Sequence, residues 1–213
     1  MNKEKFSDNL SKIVQDKYIL LKKINQKSDI IYKIVEKITE RVLKDGKIFF
    51  CGNGGSASDS QHLATEFLVR LKPNLNRTAI PAMSLTLDST ALTACGNDFG
   101  FENIFARALE GLGNKKDILI VISTSGNSKN IIKVLKKAKK MKIFTIGLLG
   151  NKGGKAKNQC DLPLVVNHNR VDRIQEMHIF LGHLIAETVE LNLLKKKRVK
   201  PVSYTHLTLP TKR

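Results

Sequence analysis

His62 and Glu66 stand four residues apart in a stretch, Ala57 to Val69, that reads as a helix. Residues at that spacing share one helix face. A neutral imidazole and a carboxylate so placed can hold a divalent metal, work as an acid/base pair, or make an ordinary surface contact. A second cluster, Ser123-Thr-Ser-Gly-Asn-Ser128, sets four hydroxyls and a glycine between an apolar run and a helix start. Amides and hydroxyls at a helix N-terminus form a phosphate cradle, or merely a serine-rich cap. The loop has no lysine and no adjacent magnesium carboxylate, so a sugar phosphate fits better than a triphosphate. The third cluster, Cys51-Gly-Asn-Gly-Gly-Ser56, lets backbone approach a ligand closely or simply turns tightly. It matches neither G-x-G-x-x-G nor G-K-[ST], so nucleotide binding is unsupported. Ser56 with Asp59 resembles a helix N-cap box. Further on, Asp172, Gln175, Glu176, His178 and His183 lie among Ile174, Met177, Phe180, Leu181, Leu184 and Ile185. Apolar residues on nearly every side make this a buried helix, expected to pack between subunits, and polar groups there need partners. His178 suits a core histidine as well as a ligand.

The elements that must position these groups follow from periodicity. Residues 1–44 read as two helices, with apolar spacing at Ile30, Ile34, Ile38 and Val42. Strands are expected at 47–51, 80–85, 117–122, 143–148 and 162–166. Helices are expected at about 57–69, 89–95, 102–112, 128–141 and 171–195, with a short one after the Gly153-Gly154 turn. Strands alternating with helices imply an α/β fold with a parallel sheet covered on both faces. Ligands of such sheets sit at the carboxyl ends of the strands, where the glycine and hydroxyl turns fall.

Composition agrees. The chain has 213 residues, 41% hydrophobic and 26% charged. That excludes collagen-like, mucin-like and disordered classes, and a chain of this size buries roughly 70% of its unfolded surface. No apolar run approaches the roughly 18 residues of a membrane span, and MNKEKFSDNL has no apolar core of a signal peptide. Three cysteines, Cys51, Cys95 and Cys160, fit reduced thiols in a cytoplasm rather than a disulfide scaffold. The net charge is +18, of which seven charges lie in residues 195–213. The rest is spread along helices, as in Lys133, Lys136, Lys137, Lys139, Lys140 and Lys142, and reads as a solvated face that also attracts anions. No helix-turn-helix, zinc-finger or RNA-binding signature accompanies it, so no nucleic-acid partner is expected. Val202-Ser-Tyr-Thr-His-Leu207 is what one frame of a common transposase sequencing adapter encodes. Residues 1–198 are therefore read as one domain and 199–213 as a disordered tail, with a sequence artefact from about 202.

Cys51-Gly-Asn-Gly-Gly-Ser56, Gly96-Asn-Asp-Phe-Gly100, Ser123-Thr-Ser-Gly-Asn-Ser128 and Asp172-Arg-Ile-Gln-Glu-Met-His178 occur in that order. Together they resemble the phosphoheptose isomerases of the sugar isomerase (SIS) domain superfamily, over about residues 1–195. The resemblance implies a five-stranded parallel sheet flanked by helices, a flavodoxin-like three-layer sandwich. It implies a cytoplasmic homotetramer with active sites between subunits and one zinc per subunit. It implies conversion of sedoheptulose 7-phosphate to D-glycero-D-manno-heptose 7-phosphate, which feeds lipopolysaccharide or capsule. By the same resemblance His62, Glu66, Gln175 and His183 match metal ligands, and Glu66 and His183 the catalytic pair. Asn53, Gly54, Gly55, Asn97 and Asp98 match substrate contacts, as Glu66 and Gln175 also do, and Ser123, Thr124, Ser125 and Ser128 the phosphate site. Ala57, Ser58 and Thr65 depart from common family residues without removing a catalytic group. Some relatives instead bind the replication initiator DnaA and lack the equivalents of Glu66 and His183; this chain keeps both. On a straight helix Gln175 and His183 lie roughly 12 Å apart and about 80° around. Sharing one ion then needs inward-leaning side chains, a bent helix, or a donor from a neighbouring subunit.

Overall fold

The computed structural model describes residues 1–201. Two helices lead, α1 (Lys3–Asn25) and α2 (Ser28–Leu43). There follow β1 (Ile48–Gly52), α3 (Gly55–Leu68), β2 (Ala82–Ser84), α4 (Ser89–Phe99), α5 (Ile104–Leu112), β3 (Ile118–Ser123), α6 (Lys129–Lys140), β4 (Phe144–Gly150), β5 (Leu162–Val166) and α7 (Val171–Lys195). A short 3-10 turn, Phe101–Asn103, joins α4 to α5. The five strands form one parallel sheet in the order β2-β1-β3-β4-β5.

Alternation along the central strands divides two cores. Ile48, Phe50, Ile118, Ile120 and Ile122 face the layer containing α2, α3 and α7. Phe49, Cys51, Leu119 and Val121 face the layer containing α5 and α6. Successive strand side chains point to opposite faces, so apolar residues at every position mark a sheet covered on both sides. The lysine-rich helix shows the same logic with a 3.6-residue period. Ile131, Val134, Leu135 and Ala138 are buried on one face of α6. Its outer lysines include Lys133 and Lys137, which pair with Glu102 and Glu110. The run is thus a solvated, partly ion-paired face.

Three sequence expectations are corrected. First, α3 starts at Gly55, earlier than Ala57. Gly54 has φ +56° and no side chain caps the helix. Ser56 therefore lies inside the first turn, where its carbonyl accepts the Ser60 hydroxyl at 2.7 Å, and the Ser56–Asp59 cap box does not form. Second, residues 151–160 form turns rather than a short helix. Third, residues 199–201 belong to the fold. Val199 is buried, and Lys200 exchanges hydrogen bonds with Thr78, its carbonyl accepting the Thr78 amide at 2.9 Å. The reason is a waiting partner: the loop before β2 offers Thr78 as an unpaired backbone edge. Residues 202–213, including the adapter-like segment, lie outside the described residues.

Candidate active site

The glycine turn after β1 and the hydroxyl turn after β3 are neighbours, because β1 and β3 pair in the sheet. Side chains join them. Asn53 and Asn130, the latter buried in α6, exchange reciprocal amide hydrogen bonds of 2.9 and 2.8 Å. The hydroxyl turn also organises itself. Ser123 is buried, and its Oγ accepts the Gly126 amide at 3.0 Å; Ser125 Oγ accepts the Asn127 amide at 3.2 Å. Gly126, at φ +64°, lies so close to the Gly153 carbonyl that a Cβ there would collide with it. The Ala156 amide donates to the Gly126 carbonyl, the Lys155 amide to Asn127 Oδ1, and Asn151 Nδ2 to the Thr124 carbonyl. The 151–156 turns thus brace the candidate phosphate loop from behind. Ser128 is the N-cap residue of α6, and its hydroxyl makes no capping bond.

The second half of the site is built on α3 and α7, which pack side by side. His62 Nε2 lies 3.1 Å from Glu66 Oε1, one turn along α3. It also lies 2.8 Å from His183 Nε2 on α7. One donor atom from each of His62, Glu66 and His183 falls within 4.8 Å of the others. Glu66 is mostly covered, whereas the imidazole of His62 is half exposed. Three electron-rich atoms converge here. Such a cluster holds together when a proton or a cation lies between them, and nitrogen and carboxylate donors suit a divalent metal. All three residues come from one chain, so the pairing of Glu66 with His183 needs no neighbouring subunit.

Gln175 is placed differently. Its amide packs against Gly55, so closely that a Cβ on Gly55 would clash with it. Gly55 precedes His62 by seven residues, or about 10 Å along α3. Among the described residues no hydrogen bond joins Gln175 to His62, Glu66 or His183. Asn97 and Asp98 stand apart as well, exposed near the end of α4, where Asn97 Nδ2 donates to Asp98 Oδ1 at 2.9 Å.

One neighbour escaped the sequence reading as a site residue. Asp59 precedes His62 by three residues, so Asp59, His62 and Glu66 follow the i, i+3, i+7 spacing of a single helix face. Burial raises the Asp59 carboxyl above its usual range, partly opposed by His62. Its Oδ2 is buried with no hydrogen-bond partner among the described residues. That spacing was the available signal. His178, by contrast, is a core residue. It is fully buried, and neither ring nitrogen has a well-formed hydrogen bond among the described residues. Burial pushes the imidazole down to about 4, against a smaller upward pull from the nearby Leu149 backbone.

Comparison with known proteins bears on this arrangement. The SIS domain family profile matches residues 15–150. The chain is 47% identical over 167 residues to the phosphoheptose isomerase of Clostridium acetobutylicum, covering 78% of this chain and 84% of that one. It is 44% identical over 191 residues to a phosphoheptose isomerase of Helicobacter pylori, covering 89% and 98%. The solved structure of a phosphoheptose isomerase from Neisseria gonorrhoeae superposes with a TM-score of 0.81 at 34% identity, covering 87% of this chain and 99% of that one. One from Francisella tularensis superposes at 0.80 and 30% identity, covering 86% and 97%. With a five-stranded parallel sheet, matching solved structures and relatives aligned over most of their length, the chain belongs to the SIS-domain family and, within it, to the phosphoheptose isomerases.

Proposed function

We propose that this sugar-phosphate isomerase converts sedoheptulose 7-phosphate to D-glycero-D-manno-heptose 7-phosphate, the first step of heptose supply for lipopolysaccharide or capsule. The observation that carries the chemistry is the convergence of His62, Glu66 and His183. Ketose-to-aldose conversion removes a proton from C1, protonates the C2 oxygen to give an enediol, then returns a proton to C2 and removes one from the C1 oxygen. Glu66 is the group that takes and returns the carbon-bound proton. His183 is the group that gives a proton to the C2 oxygen and takes one from the C1 oxygen. The two act on adjacent atoms, which their shared contact with His62 allows.

Ser123, Thr124, Ser125 and Ser128 hold the phosphate at the other end, and binding there positions the reacting carbons. Asn53, Gly54, Gly55, Asn97, Asp98 and Gln175 are the further substrate contacts. The metal proposed is zinc, one per subunit, with His62, Glu66 and His183 as donors from one chain and Gln175 as the fourth. When bound, it would polarise the substrate carbonyl. Reaching the other three requires the Gln175 amide to leave Gly55 or to come from a neighbour. A cytoplasmic homotetramer is the proposed assembly. In support, Phe6, Leu10, Val14 and Tyr18 on α1 form an exposed apolar line at four-residue spacing, and Phe180 and Leu184 on α7 are exposed as well. Among the described residues no helix is long and apolar enough to cross a membrane.

The test is incubation of the purified protein with sedoheptulose 7-phosphate, with and without a chelator. Formation of the aldose, lost on chelation and restored by zinc, is expected. No aldose under either condition overturns the substrate assignment, and undiminished turnover after complete metal removal overturns the metal.

A further inference from the structure

The loop between α3 and β2 buries one guanidinium, that of Arg77, whose side chain is 1% exposed. Its fork spans both helices of the site. Nη2 donates to the carbonyl of Glu66 at 2.9 Å, and Nη1 to the carbonyls of Val69 and Thr78 at 3.3 and 3.1 Å. Nε donates to Glu190 Oε1 on α7. Glu66 lies in the last turn of α3, where carbonyls have no helical partner and a cation is favoured. Glu190 follows His183 by seven residues, two turns along nearly the same face of α7. A single planar group therefore grips the backbone of one member of the acid/base pair and the helix that carries the other.

Stability alone is a poor account of this arrangement. A buried ion pair often contributes no more than well-packed apolar residues of similar volume. This one is incompletely satisfied, since Glu190 Oε2 is buried with no partner among the described residues. What the pair does provide is a fixed distance. A fork in a buried site sets direction and spacing in a way that one ammonium cannot.

We propose that Arg77, held by Glu190, is a positioning residue that sets the separation of Glu66 from His183. The proposal rests on reading those two as the acid/base pair. A misplacement of about 1 Å at a reacting centre can cost roughly 10²-fold in rate. Loss of the clamp should therefore lower kcat while leaving KM, which reports mainly on the distant phosphate loop, nearly unchanged.

The experiment compares Arg77→Lys, Glu190→Gln and the apolar double variant Arg77→Met/Glu190→Met with wild type. Kinetics on sedoheptulose 7-phosphate are paired with NMR titration of the His62 and His183 imidazoles in metal-free protein. Arg77→Lys keeps the charge but loses the fork, and a fall in kcat of about tenfold or more is expected. Glu190→Gln keeps an oxygen for Nε and should retain most of the rate. The double variant should stay folded, lose kcat at near-constant KM, and show displaced titration curves for both imidazoles and a displaced pH–rate profile. Wild-type kcat and unmoved titrations in folded Arg77→Lys overturn the proposal. If the double variant does not fold, the contrast between Arg77→Lys and Glu190→Gln decides, and equal losses in both overturn it. An inactive wild type defeats the functional reading instead, while the imidazole titrations still report whether the clamp sets the geometry.

Discussion

The hydroxyl turn and the helix-borne cluster, the two halves of the candidate site, are built by opposite means. The turn spans six consecutive residues and satisfies its own amides through Ser123 and Ser125. The cluster joins residues 121 positions apart, His62 and His183, and depends on how two helices lie against each other. A tight point of that contact is Gly182, where an added Cβ would sit 2.5 Å from both methyls of Leu63. A local motif thus keeps its shape while its surroundings shift, whereas a packed contact between helices is lost when either helix moves. In the proposed function, phosphate binding, which tolerates looser placement, falls to the first. Proton transfer, which does not, is the role proposed for the second, and it needs rigid support.

The largest effect should come from the cluster. Glu66→Gln preserves shape but removes the proposed base, and His183→Ala removes its proposed partner. Each is expected to lower kcat by about 10²–10⁴-fold with the fold intact. Circular dichroism and steady-state kinetics check this. Because both residues meet within one chain, a mixed oligomer of the two variants should not regain activity. Recovery would show that the working pair is assembled across subunits.

Acid should loosen α7 before it disturbs the turn. His178 titrates near 4 when folded and near 6.5 otherwise. The unfolded chain therefore binds more protons between those values, and stability is lost as pH falls from about 6.5 to 4. The loss amounts to ~3 kcal/mol, because each pH step of one between the two values is worth about 1.36 kcal/mol. His178→Gln should flatten that part of the stability–pH curve in urea titrations; an unchanged slope would clear His178 of the effect.

The hydroxyl turn sharpens the contrast. Ser125→Ala removes one hydrogen bond to a charged ligand and should weaken substrate binding by about 1.5–3 kcal/mol, leaving the melting point almost unmoved. Ser123→Ala should do both, because its hydroxyl is buried and holds the Gly126 amide, whose loss of a partner costs ~1–3 kcal/mol. Equal melting points for the two variants would show that the loop does not rely on Ser123.

The smallest change in activity is expected from Gly182→Ala. Its methyl must push α7 away from Leu63, at a cost of about 1–3 kcal/mol in stability. Activity should fall more than the KM rises, and adding Leu63→Ala should restore part of the rate. Failure of that rescue would mean that helix spacing at this point does not control the cluster.

Much of this protein was legible in its residues. Continuous apolar runs indicated five strands of a parallel sheet, and 3.6-residue patterning indicated seven helices, with α4 running four residues longer than expected. The motif turns could be read because their chemistry is contained in a few adjacent residues. Three things were decided only by the tertiary structure. Gly54's positive φ started α3 early and left Ser56 without its capping role. The burial of the Asp59 carboxyl, with no hydrogen-bond partner for Oδ2 among the described residues, came from the packing around α3. The meeting of His183 with His62 and Glu66, while Gln175 rests on Gly55, came from the register of α7 on α3. Spacing along one helix sets distances within that helix alone. Where two helices touch depends on how side chains such as Leu63 and Arg77 fill the space between them, and that is a property of the packed whole.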